Sequence, residues 1–245
     1  MTKEAEQNYL AMIGDGGREH SLRKPFSDAQ CGLNLASIGA IISLLPSPPA
    51  RLLDMGCGGG WTSVFFARYG FEVVGQDIAQ DMIDLAHDNR TLNGLTANPQ
   101  FIRSDYESLA FQAEFDCAVF FDSLHHAEDE LGAIRSAYDA LKPGGVLLTH
   151  EPGQGHSTAP GSLEAMRLYG VSERDMPPHL IMQRGREVGF RHFRVMPMPA
   201  DLNTLFYGRP PPPRLSRAGW RHAKKALRMA FHPSHRASSI VMMTK

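Results

Sequence analysis

Between residues 51 and 151 the chain alternates between short apolar runs and longer segments with apolar residues at helical spacing. The short runs predict strands at 51–55, 71–75, 100–103, 115–121 and 146–150. The longer segments predict helices at 62–69, 81–92 and 130–141. Strands that alternate with helices are typical of βαβ units on a parallel sheet. The unbroken apolar run at 115–121 indicates a strand that is covered on both faces.

The two flanks of this region have different patterns. Residues 32–45 are apolar around most of a helical turn, and the prolines that follow end this predicted helix. Near the other end, a helix at 179–188 precedes strands at 192–196 and 239–243, which we expect to pair. The segment between these two strands contains a run of prolines and then a basic helix. The chain therefore divides into a helical cap at 1–49, an α/β core at 50–199, an insertion at 200–237 and a final core strand at 238–245.

Composition narrows the classes of protein that fit this pattern. Of the 245 residues, 42% are hydrophobic and 21% are charged, as in ordinary globular proteins, and the formal net charge of −1 favours no nucleic-acid partner. The apolar stretches are shorter than the roughly 18 residues that a membrane span needs, and the first residues lack the pattern of a secretory signal. Cys31, Cys57 and Cys117 form no paired motif, so we expect free thiols and a cytoplasmic location.

A glycine-rich turn, LLDMGCGGG at 52–60, follows the first predicted strand. Glycines at alternate positions let the backbone turn tightly and approach a ligand, and the next helix points its free amides at the bound group. The dinucleotide-binding spacing GxGxxG, counted from Gly56, requires glycine where the chain has Trp61. The turn therefore argues against a dehydrogenase.

Asp54 lies at the end of the first predicted strand, and two further acids end the next two predicted strands. Asp77 is placed to accept hydrogen bonds from both hydroxyls of a ribose, the chemistry that Rossmann-type folds use. Asp105 ends the third strand, and Ile78 and Tyr106 follow the two acids directly. Each acid alone also fits a structural role, as a helix N-cap or a turn residue. Acids on three successive strands favour one shared ligand site.

The arrangement Asp54-x-Gly56-x-Gly58-x-Gly60, with Asp77 and Asp105 on the following strands, resembles the motifs of class I S-adenosylmethionine-dependent methyltransferases. The resemblance covers about residues 51–151, including the turn LKPGG at 141–145. It implies a Rossmann-like α/β fold with a seven-stranded, mostly parallel sheet, helices on both faces and an antiparallel last strand. It also implies S-adenosylmethionine as cofactor, with Asp105 accepting from the adenine amino group and with Ile78 and Tyr106 flanking the adenine ring. The cofactor-binding residues are then Asp54, Gly56, Gly58, Gly60, Asp77, Ile78, Asp105, Tyr106 and Asp122, although Asp122 fits a structural hydrogen bond equally well.

Histidines follow the fourth strand, at the edge where open α/β sheets bind their ligands. Methyl transfer to a hydroxyl requires removal of its proton, and the ordinary pKa of histidine suits that task. His125 and His126 are the candidate bases, with His125 slightly favoured; alternatively, they cap a helix or pack against the cofactor. At the end of the fifth strand, His150 and Glu151 are candidates for binding the acceptor, and we include Glu151 among the catalytic residues.

The predicted acceptor is a small polar molecule with a hydroxyl, and a saccharide or an anionic glycan precursor is one candidate. N- or C-methylation and cofactor binding without turnover are the alternatives. No tight ligand spacing supports a divalent metal ion, so none is expected. The sequence does not predict an oligomeric state.

The basic segment 214–231, RLSRAGWRHAKKALRMAF, carries its cations on one face of a predicted helix. Such a helix is typical of contact with an anionic membrane surface or an anionic acceptor. We favour a surface helix whose apolar face packs on the domain. RNA binding has less support, because stacking aromatic residues do not alternate with the cations.

Overall fold

A computed structural model describes residues 3–207, 212–213, 215–231 and 238–245. Its strands are β1 Arg51–Met55, β2 Glu72–Asp77, β3 Gln100–Arg103, β4 Phe115–Phe121, β5 Leu141–Glu151, β6 His192–Pro197 and β7 Ser239–Thr244. Its helices are α1 Lys3–Gln7, α2 Tyr9–Arg23, α3 Cys31–Leu44, α4 Trp61–Tyr69, α5 Gln80–Leu92, α6 Glu130–Ala140, α7 Pro160–Tyr169, α8 Pro178–Val188, α9 Pro199–Leu202 and α10 Arg217–Phe231. Each predicted strand is present. The observed bounds differ from the predicted ones by a few residues at most, except that β5 begins five residues earlier than predicted.

The strands form one seven-stranded sheet in the order β3-β2-β1-β4-β5-β7-β6. The first five strands pair in parallel, whereas β7 runs antiparallel to both β5 and β6. The predicted pairing of the last two strands is therefore confirmed, and so is the predicted Rossmann-like fold with an antiparallel last strand.

Helices cover both faces of the sheet, and the alternation of residues in β1 shows how. Leu52 points to the face where α3 and α4 pack, while Leu53 and Met55 point to the face covered by α6 and α8. All three side chains have no exposed surface. Two buried faces explain why the central strands are apolar without interruption.

The carboxyl ends of β1 to β4 lie side by side, because these strands are parallel neighbours. The N-terminal helices reach over these ends: the Lys3 ammonium contacts Asp105 after β3, and Glu6 accepts a hydrogen bond from the Ser172 amide. The site described below therefore lies between the strand ends and α1–α2.

The division into cap, core and insertion stays a prediction. The predicted insertion includes residues 208–211, 214 and 232–237, which lie outside the described residues, as does part of its run of prolines. In the described part of the chain, no helix combines the length and the hydrophobicity that crossing a bilayer requires. The cytoplasmic location also stays a prediction.

Candidate active site

The glycine turn after β1 has backbone angles that require glycine. Gly56, Gly58 and Gly60 have φ values of 73°, 50° and 77°, in the left-handed region that side chains rarely adopt. Gly56 also donates its amide hydrogen to the Gln76 carbonyl at 2.9 Å, which holds the turn against β2. A Cβ at Gly56 would lie 2.6 Å from the Ser123 Cβ and closer still to the Tyr106 hydroxyl. The turn is therefore fixed both by its backbone angles and by its neighbours.

Asp54 lies beneath this turn, with 1% of its surface exposed. Its Oδ2 accepts hydrogen bonds from the hydroxyls of Thr62 at 2.7 Å and Ser63 at 2.5 Å, which tie β1 to the first turn of α4. Burial raises the pKa of Asp54 to about 6, although the hydrogen bonds from Ser63 and Thr62 oppose the rise. The structure thus gives Asp54 a role in holding the turn, and its predicted contact with the cofactor stays untested.

Asp77 combines the two roles that the sequence left open. Its carboxylate accepts from the backbone amides of Gly58 and Ala79, both at 2.9 Å, and so joins the glycine turn to the start of α5. Burial raises the pKa of Asp77, against the effect of the two amide hydrogen bonds. The residue also lines the cavity described below. It is therefore both a structural brace and an available acceptor.

Asp105 is held by contacts on two sides. It accepts from the Ser108 amide at 2.7 Å and pairs with the Lys3 ammonium at 3.2 Å. Burial opposes its ionisation, but the hydrogen bonds from Ser108 and Lys3 outweigh that effect and hold the pKa of Asp105 below its usual value. The next residue, Tyr106, donates its hydroxyl hydrogen to the Ser123 carbonyl at 3.1 Å. The ends of β3 and β4 are thereby linked.

These groups surround a cavity of about 410 Å³, a size that suits a small-molecule ligand. The strand ends form one wall, and Glu6, Tyr9 and Ile13 of α1 and α2 form part of the other. The predicted cofactor residues that line it are Gly56, Gly58, Asp77, Ile78, Asp105, Tyr106 and Asp122. The other two predicted cofactor residues, Asp54 and Gly60, are not among the described residues that line the cavity.

His126 also lines the cavity. Its Nδ1 lies 2.6 Å from the Ser172 carbonyl oxygen, so Nδ1 carries the hydrogen and, in the neutral ring, the lone pair is on Nε2. Nδ1 is also 3.5 Å from the Glu6 carboxylate. Burial disfavours the charged ring, but the hydrogen bond and charge of Glu6, together with Glu173, outweigh burial and raise the pKa of His126 to about 9.

His125 and Glu151 are buried behind His126, and neither is among the described residues that line the cavity. The Glu151 carboxylate contacts His125 Nδ1 at 2.8 Å and accepts from the backbone amides of Ser123 and Leu124 at 3.0 and 2.9 Å. With no exposed surface, Glu151 is not placed to touch an acceptor. The predicted catalytic roles of His125 and Glu151 therefore do not fit this arrangement. Both residues fix the short 3₁₀ turn at Leu124–His126.

Glu151→Gln is expected to lower the free energy of unfolding by roughly 2–4 kcal/mol, because an amide cannot replace a buried charge that accepts from several amides. Chemical denaturation measures this difference. Glu164→Gln, on the exposed surface of α7, is the matched control and should leave stability within error. Equal stability of both variants would contradict the bracing role.

His150 belongs to a second buried network. Its Nδ1 lies 3.1 Å from Asp122 Oδ1 and its Nε2 lies 2.9 Å from the Ser37 hydroxyl, so α3 is joined to the ends of β4 and β5. Desolvation opposes both charges, but the interaction of Asp122 with His150 outweighs it, so the pKa of the half-exposed Asp122 is lowered and the pKa of the buried His150 is raised. Because His150 is 5% exposed and does not line the cavity, its predicted contact with the acceptor does not fit. Asp122 does face the cavity.

A metal ion has one possible set of ligands among the described residues. Atoms of His125, His126 and Glu173 lie within 4.8 Å of one another. The same Glu173 carboxylate is 2.6 Å from His156 Nε2, so these groups already satisfy one another as ion pairs and hydrogen bonds. The prediction that no metal is required stays a prediction.

Several contacts of this site have no signal in the sequence. Lys3, Glu6 and Ser172 all line the cavity, but they come from the chain start and from the loop after α7. No motif relates these regions to the strand ends. Only their spatial contact with Asp105 and His126 shows their part in the site.

Residues 53–149 match the family model described as "Methyltransferase domain". A protein of Ruegeria pomeroyi named "Ubiquinone biosynthesis O-methyltransferase" is 38% identical over 104 residues, which are 42% of this chain and 41% of that protein. The chain thus matches less than half the length of this relative. These matches confirm the predicted resemblance to class I methyltransferases over the central part of the chain.

Solved structures extend the likeness to the whole fold. Phosphoethanolamine N-methyltransferase 2 of Haemonchus contortus, in complex with S-adenosylhomocysteine, matches 100% of this chain and 60% of its own, at a TM-score of 0.67 and 18% identity. A cyclase, SpnF, matches 91% of this chain and 84% of its own, at a TM-score of 0.59 and 22% identity. Such low identities show a shared fold and leave the chemistry to the site itself.

Proposed function

We propose that this chain binds S-adenosylmethionine in the cavity between the strand ends and α1–α2, and transfers its methyl group to a hydroxyl of a small-molecule acceptor. The observation that carries the proposal is the convergence of the glycine turn, Asp77 and Asp105 on one cavity of about 410 Å³. The match of residues 53–149 to a methyltransferase domain supports it.

The residues of the cavity fit the parts of this cofactor. Gly58 has open space where a Cβ would stand, and its amide donates to Asp77, so the turn and this carboxylate are held together at the cavity wall. We assign Asp77 to the ribose hydroxyls and Asp105 to the adenine amino group, with Ile78 and Tyr106 on either side of the base. Asp122, a half-exposed carboxylate at the cavity, is assigned to the ammonium group of the methionine part.

The chemistry that the cofactor supplies is an electrophilic methyl group on a positive sulfur. The acceptor oxygen forms a bond to the methyl carbon while the carbon–sulfur bond breaks, and the electrons of that bond stay on sulfur. The acceptor hydroxyl loses its proton to Nε2 of neutral His126, where the lone pair lies because Nδ1 donates to the Ser172 carbonyl. Glu6 then stabilises the charged ring. His126 replaces His125 as the proposed base, because it lines the cavity.

The acceptor is proposed to be a hydroxyl compound, in keeping with the O-methyltransferase name of the relative. That name mentions ubiquinone biosynthesis and gives no support to the saccharide, so a phenol and a saccharide belong in the same acceptor screen. N- and C-methylation remain the alternatives within the class. Mass spectrometry of a cell extract incubated with the protein and methyl-labelled S-adenosylmethionine would identify the methylated compound and atom.

A second candidate function is cofactor binding without methyl transfer. This candidate requires the glycine turn, Asp77 and Asp105 at the cavity but no base, and the fold alone does not imply methyl transfer. Binding of S-adenosylhomocysteine with no labelled product from any extract would support this candidate.

Asp77→Asn is expected to weaken binding of S-adenosylhomocysteine by about 10- to 100-fold, since a charged acceptor of ribose hydroxyls is lost. Calorimetry with the purified protein measures this change. Asp84→Asn removes the same charge from an exposed position on α5, where the side chain accepts a hydrogen bond from Gln80, and should change the affinity little. Absence of heat in the wild type, or tighter binding of NAD, would contradict the proposed site.

A further inference from the structure

The basic helix α10 has an apolar stripe that faces away from the protein. Trp220, Leu227 and Phe231 have 70%, 60% and 73% of their surfaces exposed. Their spacing of seven and then four residues places them on one side of the helix. Gly219 is buried, and His222, Ala226 and Met229 are half-buried, so a different side of the helix contacts the protein. The expectation that the apolar face of this helix packs on the domain is therefore wrong for Leu227 and Phe231, the two largest helical residues of that predicted face.

A row of cations lies directly beside this stripe. Arg217, Arg221, Lys224 and Arg228 are exposed, and their spacing of three and four residues places them along one edge. The sequence contains no acid after Asp201, and Asp201 itself pairs with Lys225 at 2.9 Å. The outer surface of α10 thus combines exposed aromatic and aliphatic groups with positive charge.

We propose that α10 docks the protein onto the surface of an anionic lipid bilayer. The apolar stripe would enter the boundary between headgroups and acyl chains, while the cationic row contacts lipid phosphates. Two other partners, a second copy of the chain and RNA, fit this surface less well. A second copy that paired through the same stripe would bring two cationic rows together, and a polyanion such as RNA would leave Leu227 and Phe231 in water. The proposal is independent of the proposed methyl transfer.

Flotation of the full chain with vesicles tests the proposal. We expect partition into vesicles of phosphatidylcholine mixed with phosphatidylglycerol, and little into phosphatidylcholine alone. Leu227→Ser with Phe231→Ser should weaken this partition at least about tenfold, because both inserted groups are lost. The matched control is Leu92→Ser with Phe26→Ser, which removes the same residue types from sites 72% and 71% exposed elsewhere. This control should bind as the wild type does.

A second pair of variants tests the cationic row. Arg221→Glu with Arg228→Glu should also weaken partition at least about tenfold, by repulsion from the anionic surface. Arg167→Glu with Arg191→Glu makes the same change in net charge at exposed positions away from α10. Retained binding of S-adenosylhomocysteine shows that each variant is folded. If the wild type itself does not bind this ligand, an unchanged circular dichroism spectrum shows it instead.

Three results would overturn the proposal. The first is equal binding to both vesicle types or to neither. The second is an equal loss in the control variants. The third concerns a dimer without lipid or a complex with RNA. The proposal fails if Leu227→Ser with Phe231→Ser disrupts such a complex and leaves vesicle binding intact. Sedimentation without lipid and a gel shift with RNA identify the last case.

Discussion

Gly56→Ala is expected to weaken binding of S-adenosylhomocysteine by more than about 100-fold, because the turn that lines the cavity must shift and misplace the groups that bind the ligand. Two effects combine at this position. The φ of 73° costs an alanine about 1–2 kcal/mol. The added Cβ would also lie 2.6 Å from the Ser123 Cβ and would collide with the Tyr106 hydroxyl, so the turn or the ends of β3 and β4 must move.

Gly94→Ala is the control for the first effect alone. Gly94 has a φ of 71°, but a Cβ there would meet nothing within 4 Å, and the residue lies in the loop before β3, away from the cavity. This variant should lose stability by about 1–2 kcal/mol and keep its affinity for the ligand. Calorimetry and thermal unfolding of both variants separate the two effects. Equal affinities of the Gly56 and Gly94 variants would disprove the close approach of the turn to the ligand.

The sequence predicts the sheet well, because the burial of each strand is recorded in its own residues. Leu52 and Leu53 are both buried, as a strand covered on both faces requires. The acids at the ends of β2 and β3 were also predictable, since parallel neighbours bring their carboxyl ends to one edge. Asp77 and Asp105 accordingly line one cavity. Periodicity and topology are sufficient for this part of the site.

The direction of individual side chains was not predictable in the same way. His125 and His126 are adjacent, and no periodic pattern tells which of them faces the cavity. The 3₁₀ turn at Leu124–His126 decides it, and Glu151 fixes that turn from a strand 26 residues away. Lys3 and Glu6 contact the site from the chain start, where the sequence has no motif.

The helix α10 shows a related limit. The sequence correctly places cations on one side and large apolar residues on another. Which side contacts the protein depends on the neighbours of the helix, and these are set by the whole fold. Gly219, Ala226 and Met229 lie on the packed side, whereas Trp220, Leu227 and Phe231 stay outside.

His126→Ala is expected to lower turnover by about 10²–10⁴-fold, the range for loss of a general base. Binding of S-adenosylhomocysteine should change only a few-fold, because the assigned contacts with the cofactor remain. Methyl-labelled S-adenosylmethionine, with cell extract as the source of acceptor, measures the transfer. His192→Ala, at an exposed position on β6, is the control and should retain full activity. Undiminished transfer by the His126 variant would remove the base assignment.

The pH profile distinguishes a base from a residue that only shapes the site. With the pKa of His126 raised to about 9, its neutral form is scarce at pH 7, so kcat/KM should rise with pH until about pH 9. Glu6→Gln removes the carboxylate that raises this pKa, so the rising limb should move to lower pH and activity near neutrality should increase. His126→Ala should abolish the limb. If the limb keeps its position in Glu6→Gln, a different group accepts the proton, because the hydrogen bond and charge of Glu6 are the largest of the effects that raise the pKa of His126.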